Sequence, residues 1–189
     1  MTLAGTTVFV TTLVLLDQAT KLLVKGFSIF GMSHTGMELG ESRSLLGNAV
    51  RLTFVENPGM AFGISWGDGK LFLTLISIGI AGFLVAYLVK ISSAHILPRV
   101  AVSLILAGAI GNLIDRVFYG VAYGESELFH GKVVDFIQVD IPDITVFGEL
   151  YTHFPVFNIA DSCVTVGVIL LLLTAGKLPA PETSNNASA

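Results

Sequence analysis

The sequence predicts an all-α integral membrane protein with four transmembrane helices and a small β element and loop region outside the bilayer. Composition, clustering and length carry this reading. Hydrophobic residues make up 53% of the 189 positions and charged residues only 13%, with a mean hydropathy of +0.80. A soluble domain is typically about 25% charged, so this chain cannot clothe a water-facing surface. Its apolar residues gather into four runs, each near the roughly 20 residues that cross a bilayer. The length then leaves room for one membrane domain, residues 1–177, and excludes a large soluble one.

The first run, Leu3 to Val24, is apolar to Leu16 and then carries Asp17, Gln18 and Lys21. It lacks the basic start and small-residue cleavage site of a secretory signal, so a retained helix is expected. Leu71 to Val89 is uncharged and bounded by Lys70 and Lys90, with Trp66 and Tyr87 as interface anchors. The third run follows Pro98 and Arg99 from Ala101 to Val117, and its second half holds Asn112, Asp115 and Arg116. Phe157 to Ala175 is the fourth, with Asn158 and Asp161 in its first turns. Residues 178–189 are rich in Pro, Ser, Asn and Ala, and a disordered tail is expected there.

Helix direction alternates across a membrane, so the polar ends of the first, third and fourth runs share one side. The long segments Gly26 to Gly69 and Phe118 to Pro155 emerge there too. Lys and Arg are spread over both faces, and their count does not orient the chain. A net charge of −4 with ten scattered basic residues argues against nucleic-acid binding. Cys163 is the single cysteine, which excludes an internal disulfide.

An ionisable group inside a span costs at least about 2.5 to 3.5 kcal/mol at the bilayer centre, so each must be paired, near an interface or functional. Asp17 and Lys21 stand at the favoured spacing for a helical ion pair, which orients the helix end or meets a lipid headgroup. Ala107 and Gly111 form a small-residue face for close helix packing. Asn112 and Arg116 project from one face, while Asp115 and Arg116 also suit a salt-bridged helix end.

Gly131 to Ile137 reads as a strand in which Asp135 interrupts an apolar stripe of Val133, Ile137 and Val139. Asp161 lies about 6 Å into the fourth helix, on a face with Asn158. Two carboxyls near one membrane face, both in partly apolar surroundings, would titrate as a pair sharing one proton. Such a pair serves as general base and general acid in peptide hydrolysis. The plainer readings are a helix N-terminal acid for Asp161 and a strand-end turn residue for Asp135. Arg51 to Glu56 suits a second strand ended by the turn Asn57-Pro58-Gly59, with apolar Met60 to Ile64 beyond it. The four histidines show no metal-ligand spacing, and neither a metal nor another cofactor is expected.

In order along the chain, Asp17-Gln18-Ala19-Thr20-Lys21, Asn57-Pro58-Gly59-Met60-Ala61-Phe62, Gly111-Asn112-Leu113-Ile114-Asp115-Arg116, Val133-Val134-Asp135-Phe136 and Phe157-Asn158-Ile159-Ala160-Asp161-Ser162 resemble the motifs of the bacterial lipoprotein (type II) signal peptidases. The resemblance covers about residues 10 to 175. It implies an intramembrane aspartic endopeptidase that cuts prolipoproteins before a diacylglyceryl-modified cysteine. Asp135 and Asp161 would be catalytic, and Asn57, Asn112, Arg116 and Asn158 would bind substrate and hold the pair. Asp17 and Lys21 would be a structural or lipid-facing pair.

The family's topology implies a multi-pass protein of the bacterial inner membrane, acting as a monomer among membrane lipids. Both termini would be cytoplasmic, the β element extracytoplasmic and the site near the outer leaflet. Ala107 departs from the glycine common in that family, and the outer segments Ser33 to Asn48 and Val139 to His153 are longer than is typical. Two other functions compete: an ion translocator using Asp17, Asp115 and Asp161, and a non-catalytic assembly subunit. The first requires polar residues through the whole membrane thickness, and the second tolerates Asn in place of either aspartate.

Overall fold

The computed structural model describes residues 2–29, 31–59, 69–146, 149–174 and 176. The expectations for Met60 to Ile64, Trp66 and the 178–189 tail lie outside these residues. Helix α1 spans Leu3–Lys25, begins on the Thr2 side chain and ends at Gly26. Gly26 has a φ of 87°, and a Cβ there would sit 2.6 Å from the carbonyl oxygens of His34 and Thr35, so the turn requires glycine. Next comes a hairpin of β1 (Phe27–Ile29) and β2 (Met32–His34), then β3 (Ser42–Leu46) and β4 (Val50–Asn57).

Helix α2 spans Gly69–Lys90 and α3 Ile96–Ile114. Pro98 falls within the first turn of α3, where its missing N–H leaves no bond unmade. The rod continues through a π-helical turn, Asp115–Tyr119, and a short α4, Gly120–Ala122. Widened turns of this kind recur at functional sites. Here the carbonyls of Arg116 and Val117 accept the Gly131 and Phe129 N–H groups and clamp the loop that leads to β5. Strand β5 (Val133–Val146), β6 (Glu149–His153) and α5 (Ile159–Leu173) complete the chain.

Three of these helical stretches are long and apolar enough to cross a membrane: Leu3–Lys25, Gly69–Lys90 and Ile96–Ala122. Helix α5 is apolar but has only 15 residues. Leu16, Phe72, Phe83, Ile169 and Leu173 lie exposed on these helices, as a lipid solvent allows. The β portion is larger than the small element expected: an antiparallel sheet ordered β3-β4-β5-β6, besides the β1-β2 hairpin. The outer segments expected between the first and second and the third and fourth spans supply β3, β4 and the paired strands β5 and β6.

Two apolar cores enclose the polar centre. Val10, Ala81, Leu84, Leu88, Val102 and Leu106 form one among α1, α2 and α3. Val24, Met37, Phe54, Tyr119, Val134 and Phe136 form the other against the sheet. Asp17 and Lys21 on α1, Asn112 on α3 and Asp115 at the start of the π-helical turn fall between them. Close approach of α5 to α3 rests on Gly108 and Gly111, rather than on the expected Ala107 and Gly111, because Ala107 faces the first core.

Candidate active site

Two distant segments are joined at one point. The Phe136 and Ile137 N–H groups both donate to the Phe157 carbonyl, at 3.1 and 2.7 Å, and Phe157 N–H donates to Ile137 O at 3.0 Å. This bridge sets Asn158, the N-cap of α5, beside Asp135. The Asn158 Oδ1 accepts from the Asp161 N–H at 2.8 Å, while Asp161 Oδ2 accepts from the Asn158 N–H at 3.3 Å. That reciprocal box satisfies two otherwise orphaned donors at the start of the helix.

The same asparagine reaches both acids. Its Nδ2 donates to Asp135 Oδ1 at 2.7 Å, to Asn112 Oδ1 at 3.0 Å and to Val134 O at 3.2 Å. Asn112 Nδ2 donates to Asp161 Oδ1 at 2.8 Å, and Asn57 Nδ2 donates to Asp135 Oδ2 at 3.1 Å. Asp135 and Asp161 therefore receive neutral amide donors and no direct salt bridge among the described residues. Asn158 and Asp135 are buried, Asp161 and Asn112 half-buried, and Asn57 exposed at the rim. A cavity of about 290 Å³ lies against Asp161, lined by Phe154, Phe157, Ser162, Thr165 and Val166.

Behind the amides lies a closed ion cluster. The Lys21 ammonium donates to Asp17 Oδ2 at 2.9 Å, Asp115 Oδ2 at 2.8 Å and Asn112 Oδ1 at 2.9 Å, so all three of its protons are answered. Asp115 also accepts from the Gln18 amide at 2.9 Å and the Val134 N–H at 3.1 Å. Asp17 Oδ1 accepts from the Ala160 N–H at 2.9 Å, stabilising the positive start of α5.

The Asp135 carboxyl, on β5 outside the spans, is pushed up to about 7. Burial is the leading cause and the charge of Asp161 the second, opposed by Asn57, Lys21 and Asn158. Asp135 is thus poised to keep a proton near neutrality.

A family model described as Signal peptidase (SPase) II matches residues 9–176. The chain belongs to the signal peptidase II family. It is 39% identical to the lipoprotein signal peptidase of Porphyromonas gingivalis over 85% of this chain and 78% of that protein. With the lipoprotein signal peptidase of Staphylococcus aureus strain MRSA252 it shares 35% identity over 96% and 91%. Among solved structures, a bacterial membrane enzyme determined by the in meso method at 1.9 Å resolution superposes with a TM-score of 0.65 at 34% identity. That match covers 92% of this chain and 93% of the other. Family and helices together identify a protease and a multi-pass membrane protein.

In this signal peptidase II member, Asp135, Asp161, Asn57, Asn112 and Asn158 meet in one hydrogen-bonded array. Arg116 stands beside it: its Nη1 reaches Asn112 O only at 3.5 Å, and the charges of Asp115, Asp161 and Asp135 act on its guanidinium. Asp17 and Lys21 are both buried within the chain, paired with each other and held by partners from the third and fifth helical segments. Asp115 pairs with Lys21, where the sequence suggested Arg116. Gln18 was the member not singled out: it donates to Asp115 and to Gly111 O, and accepts from the Tyr119 hydroxyl. Its place one residue after Asp17 in an apolar run was the available signal.

The histidines remain dispersed, and their ring nitrogens engage nearby backbone. Among the described residues no group of three or more His, Cys, Asp or Glu is arranged to hold a metal ion.

Proposed function

We propose that this protein removes the signal peptide from bacterial prolipoproteins, cutting N-terminal to the diacylglyceryl-modified cysteine, with Asp135 and Asp161 as the catalytic pair. The observation that carries the reading is Asn158, whose side chain touches Asp135 and whose backbone is boxed with Asp161. Two acids tied to one amide are held in fixed relation, as proton exchange through a shared water requires.

In this mechanism Asp135 enters protonated and Asp161 ionised. Asp161 takes a proton from water as the oxygen attacks the scissile carbonyl carbon, and Asp135 donates its proton to the carbonyl oxygen. The tetrahedral diol collapses when its hydroxyl returns a proton to Asp135 and Asp161 protonates the departing amine. Water is consumed, one carboxyl group and one amine are formed, and the pair regains its starting state. Asn112 and Asn158 hold the carboxyls in place. Exposed Asn57 and the Arg116 guanidinium are positioned to bind substrate backbone.

Residues 1–177 act as one membrane unit, with 178–189 as its tail. Helix α5, about 22 Å long at 1.5 Å per residue, serves as the fourth span. The enzyme is a monomer in the inner membrane with both termini cytoplasmic, its carboxyl pair near the outer leaflet and its sheet outside. A substrate held by its own acyl chains and signal helix is already confined to the bilayer, which supplies proximity that a soluble protease must generate by binding. The test is a gel-shift assay of purified wild type, Asp135→Asn and Asp161→Asn on a diacylglyceryl prolipoprotein. Processing by wild type alone is expected; near-normal turnover by either variant removes that residue from the mechanism.

A further inference from the structure

At the bundle end away from the carboxyl pair, Arg99 is buried with little to answer its charge. It sits in the first turn of α3 and is 5% exposed. Its Nη2 reaches Thr6 Oγ1 at 3.5 Å, the outer limit of a hydrogen bond, and its Nε has no partner. The Thr6 hydroxyl itself donates to Thr2 O. A guanidinium offers five N–H donors, and a buried one left without an acceptor, as at Nε, is costly.

No carboxylate from the surrounding helices can supply the missing charge. Residues 1–16, 71–111 and 162–174 contain no Asp or Glu, while Lys90 adds positive charge at this end. The N-termini of α1 and α3 also converge here through Thr6 and Arg99 and add their positive dipole ends. The carbonyl end of α5 lies on the same side, yet Arg99 makes no hydrogen bond to it among the described residues. The lack of a nearby carboxylate, the unpartnered Nε and the two helix starts therefore favour an external anion with several acceptor oxygens.

We propose that Arg99, at the converging starts of α1 and α3, binds the phosphate of an anionic phospholipid headgroup. Phosphate oxygens match the planar fork of arginine. In a chain that crosses the membrane, the anion present in quantity at this depth is the headgroup itself. The site is separate from the carboxyl array and does not depend on the proposed reaction.

The test uses the purified full-length protein in neutral detergent, wild type and R99Q, with added phosphatidylglycerol, phosphatidylcholine or inorganic phosphate. Phosphatidylglycerol is expected to slow thermal unfolding of wild type by about fivefold, the effect of one basic residue on anionic-lipid attraction. It should protect R99Q less than about twofold, and the other two additives should protect neither protein. Equal protection of R99Q by phosphatidylglycerol overturns the proposal, as does equal protection of wild type by phosphatidylcholine or free phosphate. Should R99Q fail to fold, R99K takes its place: it is expected to retain charge but lose at least half of the protection, and an unchanged response overturns the role of the guanidinium.

Discussion

The ion cluster on Lys21 and the carboxyl pair around Asn158 are adjacent, and Asn112 belongs to both. In the first, every ammonium proton meets an oxygen, and Asp115 accepts from an ammonium, an amide and a backbone N–H. In the second, Asp135 and Asp161 have only neutral donors. The contrast teaches how one polar layer divides its labour. Carboxyls gathered on a shared ammonium lock α1, α3 and α5 together, while carboxyls met only by neutral donors leave one able to hold or release a proton near neutrality.

The contrast is broken most directly at the pair. Asp135→Asn and Asp161→Asn are each expected to lower turnover by about 10³-fold or more, within the range set by loss of general acid–base catalysis, while the folded helix content is retained. Circular dichroism beside the processing assay measures both. Lys21→Met should act in the opposite sense, destabilising the protein by about 3–5 kcal/mol because two buried carboxylates lose their cation. Unfolding in detergent titrated with a denaturing surfactant would reveal it. A Lys21→Met protein as stable as wild type would erase the distinction between the two regions.

Proton linkage sharpens the comparison further. With Asp135 raised to about 7, the rate constant kcat/KM should fall by about tenfold per pH unit above neutrality, as the proton donor is lost. For stability the sign is set by the same shift. The unfolded chain releases this proton near the ordinary carboxyl value of 3.8, whereas the folded one keeps it to about 7, so the Asp135 contribution is complete below the lower value and lost as pH rises to the upper. Asp135→Asn should therefore gain melting temperature relative to wild type between those limits, and a constant difference would contradict the shift. The smallest expected effect is that of a chelator: processing rates with and without it should agree, and loss restored by zinc would overturn a mechanism run by two carboxyls alone.

Much of this was legible in one dimension because membrane helices declare themselves by continuous apolar runs. Helix α1 starts at the expected Leu3, and α2 extends the expected Leu71 to Val89 by only a few residues. The strand carrying Asp135 and the strand ending at Asn57 were visible from β-branched residues and turn chemistry. Short hairpins were not: β1, β2 and β6 have mostly exposed or mixed side chains and give no periodic signal. At the site, residue types and order pointed to segments that the fold brings into one hydrogen-bonded array, but partner choice is tertiary. Asp115 could be matched to neighbouring Arg116 on sequence, and only the packing of α1 against α3 hands it Lys21. Asn158 was placed inside a helix, although as the cap its side chain is freed from the helical face and can turn to Asp135.

The reciprocal cap at Asn158 and Asp161 has a consequence for the life of the chain. The first turn of α5 is also where the two acids are joined, and the segment bearing Asp161 leaves the ribosome after the one bearing Asp135, so α1, α2, α3 and the sheet are made before the two can meet. Until then the two carboxyls stay apart and the hydrogen-bonded array around Asn158 cannot assemble.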